Sequence, residues 1–68
     1  MQYLIDPKHG SVYWCADGVL MFAPLRVDST FDTDESGEVD FARLDEIDRT
    51  YMEGIKKSVS ARFSWDER

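Results

Sequence analysis

The chain has 68 residues, with fourteen Asp and Glu against eight Lys and Arg for a net charge of -6, and 43 % of it is hydrophobic, including four Phe, three Tyr and two Trp. That length allows one domain over 1–68 with a thin margin of stability, because so short a chain buries only about 60 % of its unfolded surface, while the aromatic content argues against disorder. The charge disfavours direct contact with nucleic acid or membrane. The lone Cys15 leaves no internal disulfide and points to a reducing, cytoplasmic compartment.

In chain order, residues 2–24 read as a three-stranded β-meander. Gln2 to Ile5 is a short strand, Asp6-Pro7-Lys8-His9-Gly10 a turn, and Ser11 to Ala16 a second strand rich in β-formers. Asp17-Gly18 is the signal of a two-residue type I′ hairpin, with Val19 to Ala23 returning and Pro24 ending the pairing. A hairpin closed there sets Ala16 opposite Val19, Cys15 opposite Leu20, Trp14 opposite Met21, Tyr13 opposite Phe22 and Val12 opposite Ala23. Both faces of that ribbon are apolar, so both call for cover. The expected lead at the N-terminus is structural: Met1 to Leu4 carries no basic stretch ahead of an apolar run, and no segment approaches the roughly 18 apolar residues of a membrane span.

Residues 25–44 read as an acidic loop. From about 45 to 63, Ile47, Tyr51, Met52, Ile55, Val59 and Phe63 recur at helical spacing. Asp45 is placed to cap this helix with Asp48 at its third position, and an alternative start at Asp40 offers a Val39 to Leu44 staple. Lys56, Lys57 and Arg62 towards the end suit the helix dipole. The expected fold is therefore α+β, a three-stranded antiparallel meander with one C-terminal helix on one face. The residues expected inside are Leu4 or Tyr3, Val12, Trp14, Leu20, Phe22, Ile47, Tyr51, Ile55 and Val59. One helix covers one sheet face, so the other predicts a homodimer or a docked partner.

Charge is concentrated. Residues 28–53 hold Asp28, Asp32, Asp34, Glu35, Glu38, Asp40, Asp45, Glu46, Asp48 and Glu53 against only Arg43 and Arg49, a net of -8. Within this stretch, 32–43 resembles the calcium loop of an EF-hand. Asp32, Asp34, Ser36 and Asp40 fall at its first, third, fifth and ninth positions, Gly37 at its turn and Val39 where a hydrophobe is usual, and the candidate calcium set is Asp32, Asp34, Ser36, Glu38 and Asp40. The twelfth position, where a bidentate Glu is needed, is Arg43, and the preceding helix is missing; a solvated acidic loop is the favoured reading, with calcium the alternative.

No catalytic site is legible. His9 is the single histidine, in a turn, where a pairing with Asp6 reads as an exposed contact; Cys15 has no second thiol, Trp14 and Trp65 read as core or interface, and no cofactor is implied. The expectation is a protein that is not an enzyme and works by protein–protein interaction. Carboxylates three or four residues apart on a helix stand about 5–6 Å apart, close to phosphate spacing, so the Asp28 to Glu53 segment offers a DNA-like surface to a protein that grips nucleic acid with Lys and Arg.

A very short acidic chain with one Cys and no catalytic site resembles the small early proteins of bacteriophages. Some of these are DNA mimics or inhibitors of host enzymes such as gyrase, RNA polymerase or CRISPR effectors. The resemblance implies a partner among basic nucleic-acid-binding host proteins and action in the host cytoplasm. It rests on overall style and carries no residue across. An accessory subunit docking through its apolar sheet face is the remaining alternative.

Overall fold

The computed structural model describes the backbone of residues 3–66 and the side chains of residues 3–60. Its architecture is α+β. Strands β1 (Leu4–Asp6), β2 (Ser11–Ala16), β3 (Val19–Pro24) and β4 (Gly37–Glu38) form one antiparallel sheet in the order β1-β2-β3-β4, followed by helix α1 (Glu46–Asp66). The turn at Asp17-Gly18 has φ of 53° and 78°, the double positive φ of a type I′ turn, and the β2–β3 register is the one that turn dictates, from Ala16↔Val19 to Val12↔Ala23.

The sheet has four strands where the sequence predicts three. Gly37 and Glu38 pair with Phe22 and Met21, and Val39 N–H donates to the Leu20 carbonyl at 2.9 Å, so the acidic segment closes the free edge of β3. The rest of that segment is also ordered: Thr33–Glu35 and Phe41–Arg43 are single 3₁₀ turns. Two residues carry no alternation, and Gly is a poor strand former, so β4 leaves no pattern to read. Gly37 lies against the Phe22 ring, where an added Cβ would stand at contact distance, 3.4 Å.

The two sheet faces build two cores. On one, Tyr13 and Leu20 pack with Met52 and Val59 of α1, ringed by Leu4, Phe22, Val39, Leu44, Tyr51 and Ile55. The inward stripe of α1 runs through Met52, Ile55 and Val59. Ile47, expected inside, is 79 % exposed, because the first turn of α1 lies beyond that line and Leu44 from the preceding turn fills the place instead. The expected contribution of Phe63, the charge of Arg62 and the role of Trp65 fall on side chains outside the described residues.

On the other face, Val12, Trp14 and Ala23 are buried beneath Leu25, Met21 and Phe31. Tyr3 meets Trp14 edge-on at 5.7 Å and Phe31 at 4.9 Å between ring centroids, a three-ring cluster of the geometry aromatic pairs favour. The second face, on which both the homodimer and the docking-subunit expectations rested, is covered by the chain itself over Val12, Trp14 and Ala23, while Tyr3 and Ile5 beside them stay 38 % and 53 % exposed. The cover comes from residues flanking the meander, which helical or strand periodicity does not detect. No helix among the described residues is long and apolar enough to cross a membrane.

Candidate functional site

The ten acids of residues 28–53 fall into two groups. Four Asp side chains fold their own segment. Asp28 Oδ1 accepts from Thr30 N–H at 3.1 Å and from the Thr30 hydroxyl at 2.6 Å, and these bonds lower its pKa. Asp32 Oδ1 accepts from Asp34 N–H at 2.9 Å and Asp40 Oδ1 from Ala42 N–H at 3.1 Å, each capping a 3₁₀ turn. Asp45 Oδ1 accepts from Asp48 N–H at 2.8 Å, so the cap of α1 and its third-position partner stand where the sequence places them. Asp40 caps the preceding 3₁₀ turn rather than the helix.

Removing that cap has a defined cost. Asp45→Ala is expected to destabilise the fold by about 1 kcal/mol, lowering Tm by about 4–8 °C in a domain of this size. Asp45→Ser should restore most of the loss in the same thermal melt.

The remaining six acids, Asp34, Glu35, Glu38, Glu46, Asp48 and Glu53, make no such bond among the described residues, and all but Asp48 are exposed. Few cations reach the set. Arg26 lies 3.9 Å from Asp32 and 4.0 Å from Glu35, and Arg43 lies 3.5 Å from Asp40, all partly or largely exposed contacts of small energetic weight. Arg49 is turned to backbone: its Nε and Nη2 donate to the Phe41 and Leu44 carbonyls at 3.3 and 3.0 Å, tying the second 3₁₀ turn to α1. Lys8 sits 4.5 Å above the Tyr51 ring and Lys56 5.8 Å from the Phe41 ring centre. The segment therefore keeps most of its negative charge.

The calcium-loop set does not come together. Gly37, which would make the sharp turn, lies in extended β4, and the positive-φ glycines among the described residues are Gly10 and Gly18. Asp32 and Asp40 are spent as caps of different turns, Glu38 lies in a strand, and Asp34 and Ser36 belong to the first 3₁₀ turn and its end. Among the described residues no three His, Cys, Asp or Glu side chains converge as a metal site would need. The physical reason is that the free edge of β3 draws residues 37–38 into the sheet.

Two features lie outside the sequence reading. Asp6, read as an exposed turn residue, is 3 % exposed. Its pairing with Ser11 places it on the helix-facing side of the sheet, where Oδ2 accepts from His9 Nδ1 at 2.9 Å and Oδ1 accepts from the Tyr51 hydroxyl at 3.0 Å and from Lys8 N–H at 3.2 Å. Burial pushes its carboxyl pKa up, but the hydrogen bonds from His9 and Tyr51, the charge of His9 and the Lys8 amide together hold it below the ordinary value. Burial and the Asp6 carboxylate in turn raise the Tyr51 phenol. The second feature is an open, mainly apolar cleft of about 420 Å³ on the helix side of the sheet, walled by Tyr13, Phe22, Val39, Leu44 and Met52, with His9 at its margin.

No protein-family model matches the sequence, and comparison with curated proteins and with solved structures likewise gives no match.

Proposed function

We propose that this chain is a small acidic interaction protein of the phage-inhibitor type. It offers a DNA-like carboxylate surface to a basic nucleic-acid-binding host protein, such as gyrase, RNA polymerase or a CRISPR effector, in the host cytoplasm. The observation that carries this reading is the disposition of charge. Side-chain hydrogen bonds within the fold account for four acids of the 28–53 segment, five of the other six are exposed, and the nearby Arg49, Lys8 and Lys56 lie against carbonyls and rings. Unneutralised charge of one sign steers a partner of the other sign and discourages wrong partners. Asp34 and Glu35 stand side by side on the first 3₁₀ turn, which Asp32 caps and which Arg26 approaches at 3.9–4.0 Å.

The test neutralises that turn without unfolding it. The triple variant D32N/D34N/E35Q keeps an N-cap, since Asn caps as well as Asp, and changes mainly exposed groups. Its Tm is expected to stay within a few degrees of the parent, while binding to the basic partner falls on the order of tenfold or more and the parent's own binding weakens with added salt. Unchanged binding by the triple variant would contradict an acidic-surface role.

A further inference from the structure

The cleft on the helix side of the sheet is bordered by the acidic segment: residues 38–44 contribute Val39 and Leu44 to its apolar lining and Glu38, Asp40 and Arg43 as its charged side chains. Protein interiors are close-packed, and a concavity of about 420 Å³ lies within the range of about 300–1,000 Å³ typical of ligand sites. Tyr13 and Met52 in its lining are buried core residues, while Val39, Phe22 and Leu44 are half-buried.

Charge selects the occupant. An anionic or zwitterionic small molecule entering here would meet the field of a segment carrying a net -8, and Arg43, the one arginine of the cleft's lining, is placed beside a carboxylate. Arg43 lies 3.5 Å from Asp40, an exposed contact. An apolar group with positive neighbours meets the opposite situation: its side chain desolvates against the half-buried Phe22, Val39 and Leu44, while its flanks reach Glu38 and Asp40. Tight protein interfaces combine these two parts, a few buried anchors supplying affinity and a surrounding charged rim supplying rate and selectivity.

We propose that this cleft is the anchor pocket of the interaction surface, taking one apolar side chain of Leu, Met or Phe size that is flanked by Lys or Arg on the partner protein. The proposal rests on the acidic-surface reading and adds to it the place where the partner is held. Acids alone would give a salt-sensitive, diffuse attachment; the anchor fixes register.

The test uses the full chain, isotope-labelled for NMR, titrated with three N-acetylated, C-amidated tripeptides: Arg-Phe-Arg, Arg-Gly-Arg and Glu-Phe-Glu. Arg-Phe-Arg is expected to shift the methyl signals of Val39, Leu44 and Met52 and the ring signals of Tyr13 and Phe22, and to bind more tightly than either control. Arg43→Glu, an exposed substitution at the margin, should tighten Arg-Phe-Arg by about threefold, the scale of one exposed ion pair. Cleft signals that respond equally to Arg-Phe-Arg and Glu-Phe-Glu would overturn the cationic flank. Arg-Phe-Arg and Arg-Gly-Arg perturbing only the acidic residues, and equally, would overturn the anchor while leaving the acidic surface standing. Silence towards both arginine peptides would overturn the anchor and the acidic-surface reading together.

Discussion

Trp14→Ala is expected to abolish or nearly abolish the folded state. Removing a large buried aromatic costs about 3–5 kcal/mol, and a domain of this length has a total stability of only about 3–10 kcal/mol at the usual 0.05–0.15 kcal/mol per residue. Trp14 is 4 % exposed and sits between Val12 and Ala23, both fully buried, with Tyr3 and Phe31 against its ring. Its loss leaves a void that the short, hydrogen-bonded β2–β3 ribbon cannot close by sliding, since register is held at six residue pairs. Thermal unfolding followed by circular dichroism checks this. Trp14→Phe, which keeps an aromatic ring, should lose markedly less. A Trp14→Ala variant melting within about 4 °C of the parent, less than 1 kcal/mol on this size scale, would show that the second core does not support the fold. Such a result would reopen that face as a docking surface.

Asp6→Ala is expected to produce the second-largest loss, about 2–3 kcal/mol, because hydrogen bonds to a buried charged group are each worth more than neutral ones and three donors lose their acceptor together. The Tyr51 hydroxyl, His9 Nδ1 and the Lys8 amide all converge on this carboxylate, which joins the β1–β2 turn to α1. The corresponding drop in Tm is about 10–20 °C. The pH dependence follows from the sign of the shift. Asp6 has a folded-state pKa below its ordinary value of 3.8, so the folded state binds this proton less readily than the unfolded chain. The stabilisation is therefore fully present above about pH 4 and is lost as pH falls through the lowered folded value. Asp6→Asn removes the titrating group while keeping the shape. The stability difference between parent and Asp6→Asn should be constant at neutral pH and shrink below pH 4. A difference that persists unchanged in acid would show that Asp6 is not held as a carboxylate in the folded protein.

How far the fold was legible depended on whether a residue's environment is set by its neighbours in sequence. Asp17-Gly18 fixes its own turn, and the turn fixes every pair along β2 and β3, so the hairpin register followed from two residues. The Asp45 cap and the Met52, Ile55 and Val59 stripe are equally local. The start of α1 matched to within a residue, and its backbone continues to Asp66 where the pattern pointed to about 63. What the sequence did not show is non-local. Gly37 and Glu38 become a strand because β3 offers an unpaired edge. Phe31 looks like an isolated aromatic in a polar loop until it meets Tyr3 and Trp14 across the sheet. Asp6 looks like a turn acid until strand parity turns it towards Tyr51. Ile47 carries the right period, but the part of α1 that packs on the sheet begins at Tyr51 and Met52.

The acidic set shows the same division. The number and clustering of carboxylates were plain from residue 28 to 53, but which of them serve the fold was not. A short Asp side chain reaches an amide two or three residues ahead and so caps a turn, and Asp28, Asp32, Asp40 and Asp45 do this. The longer Glu side chains and Asp34 carry the surplus. A DNA-like surface built here would consist mainly of Asp34, Glu35, Glu38, Glu46 and Glu53, with the second oxygens of the capping residues adding to it.

The most direct measurement of this role is affinity capture from bacterial lysate on the immobilised full chain, with competing duplex DNA in one arm and the D32N/D34N/E35Q variant in another. Acidic mimicry predicts recovery of a nucleic-acid-binding enzyme that duplex DNA displaces and that the triple variant fails to retain. A partner held equally by parent and variant, and untouched by DNA, would contradict it.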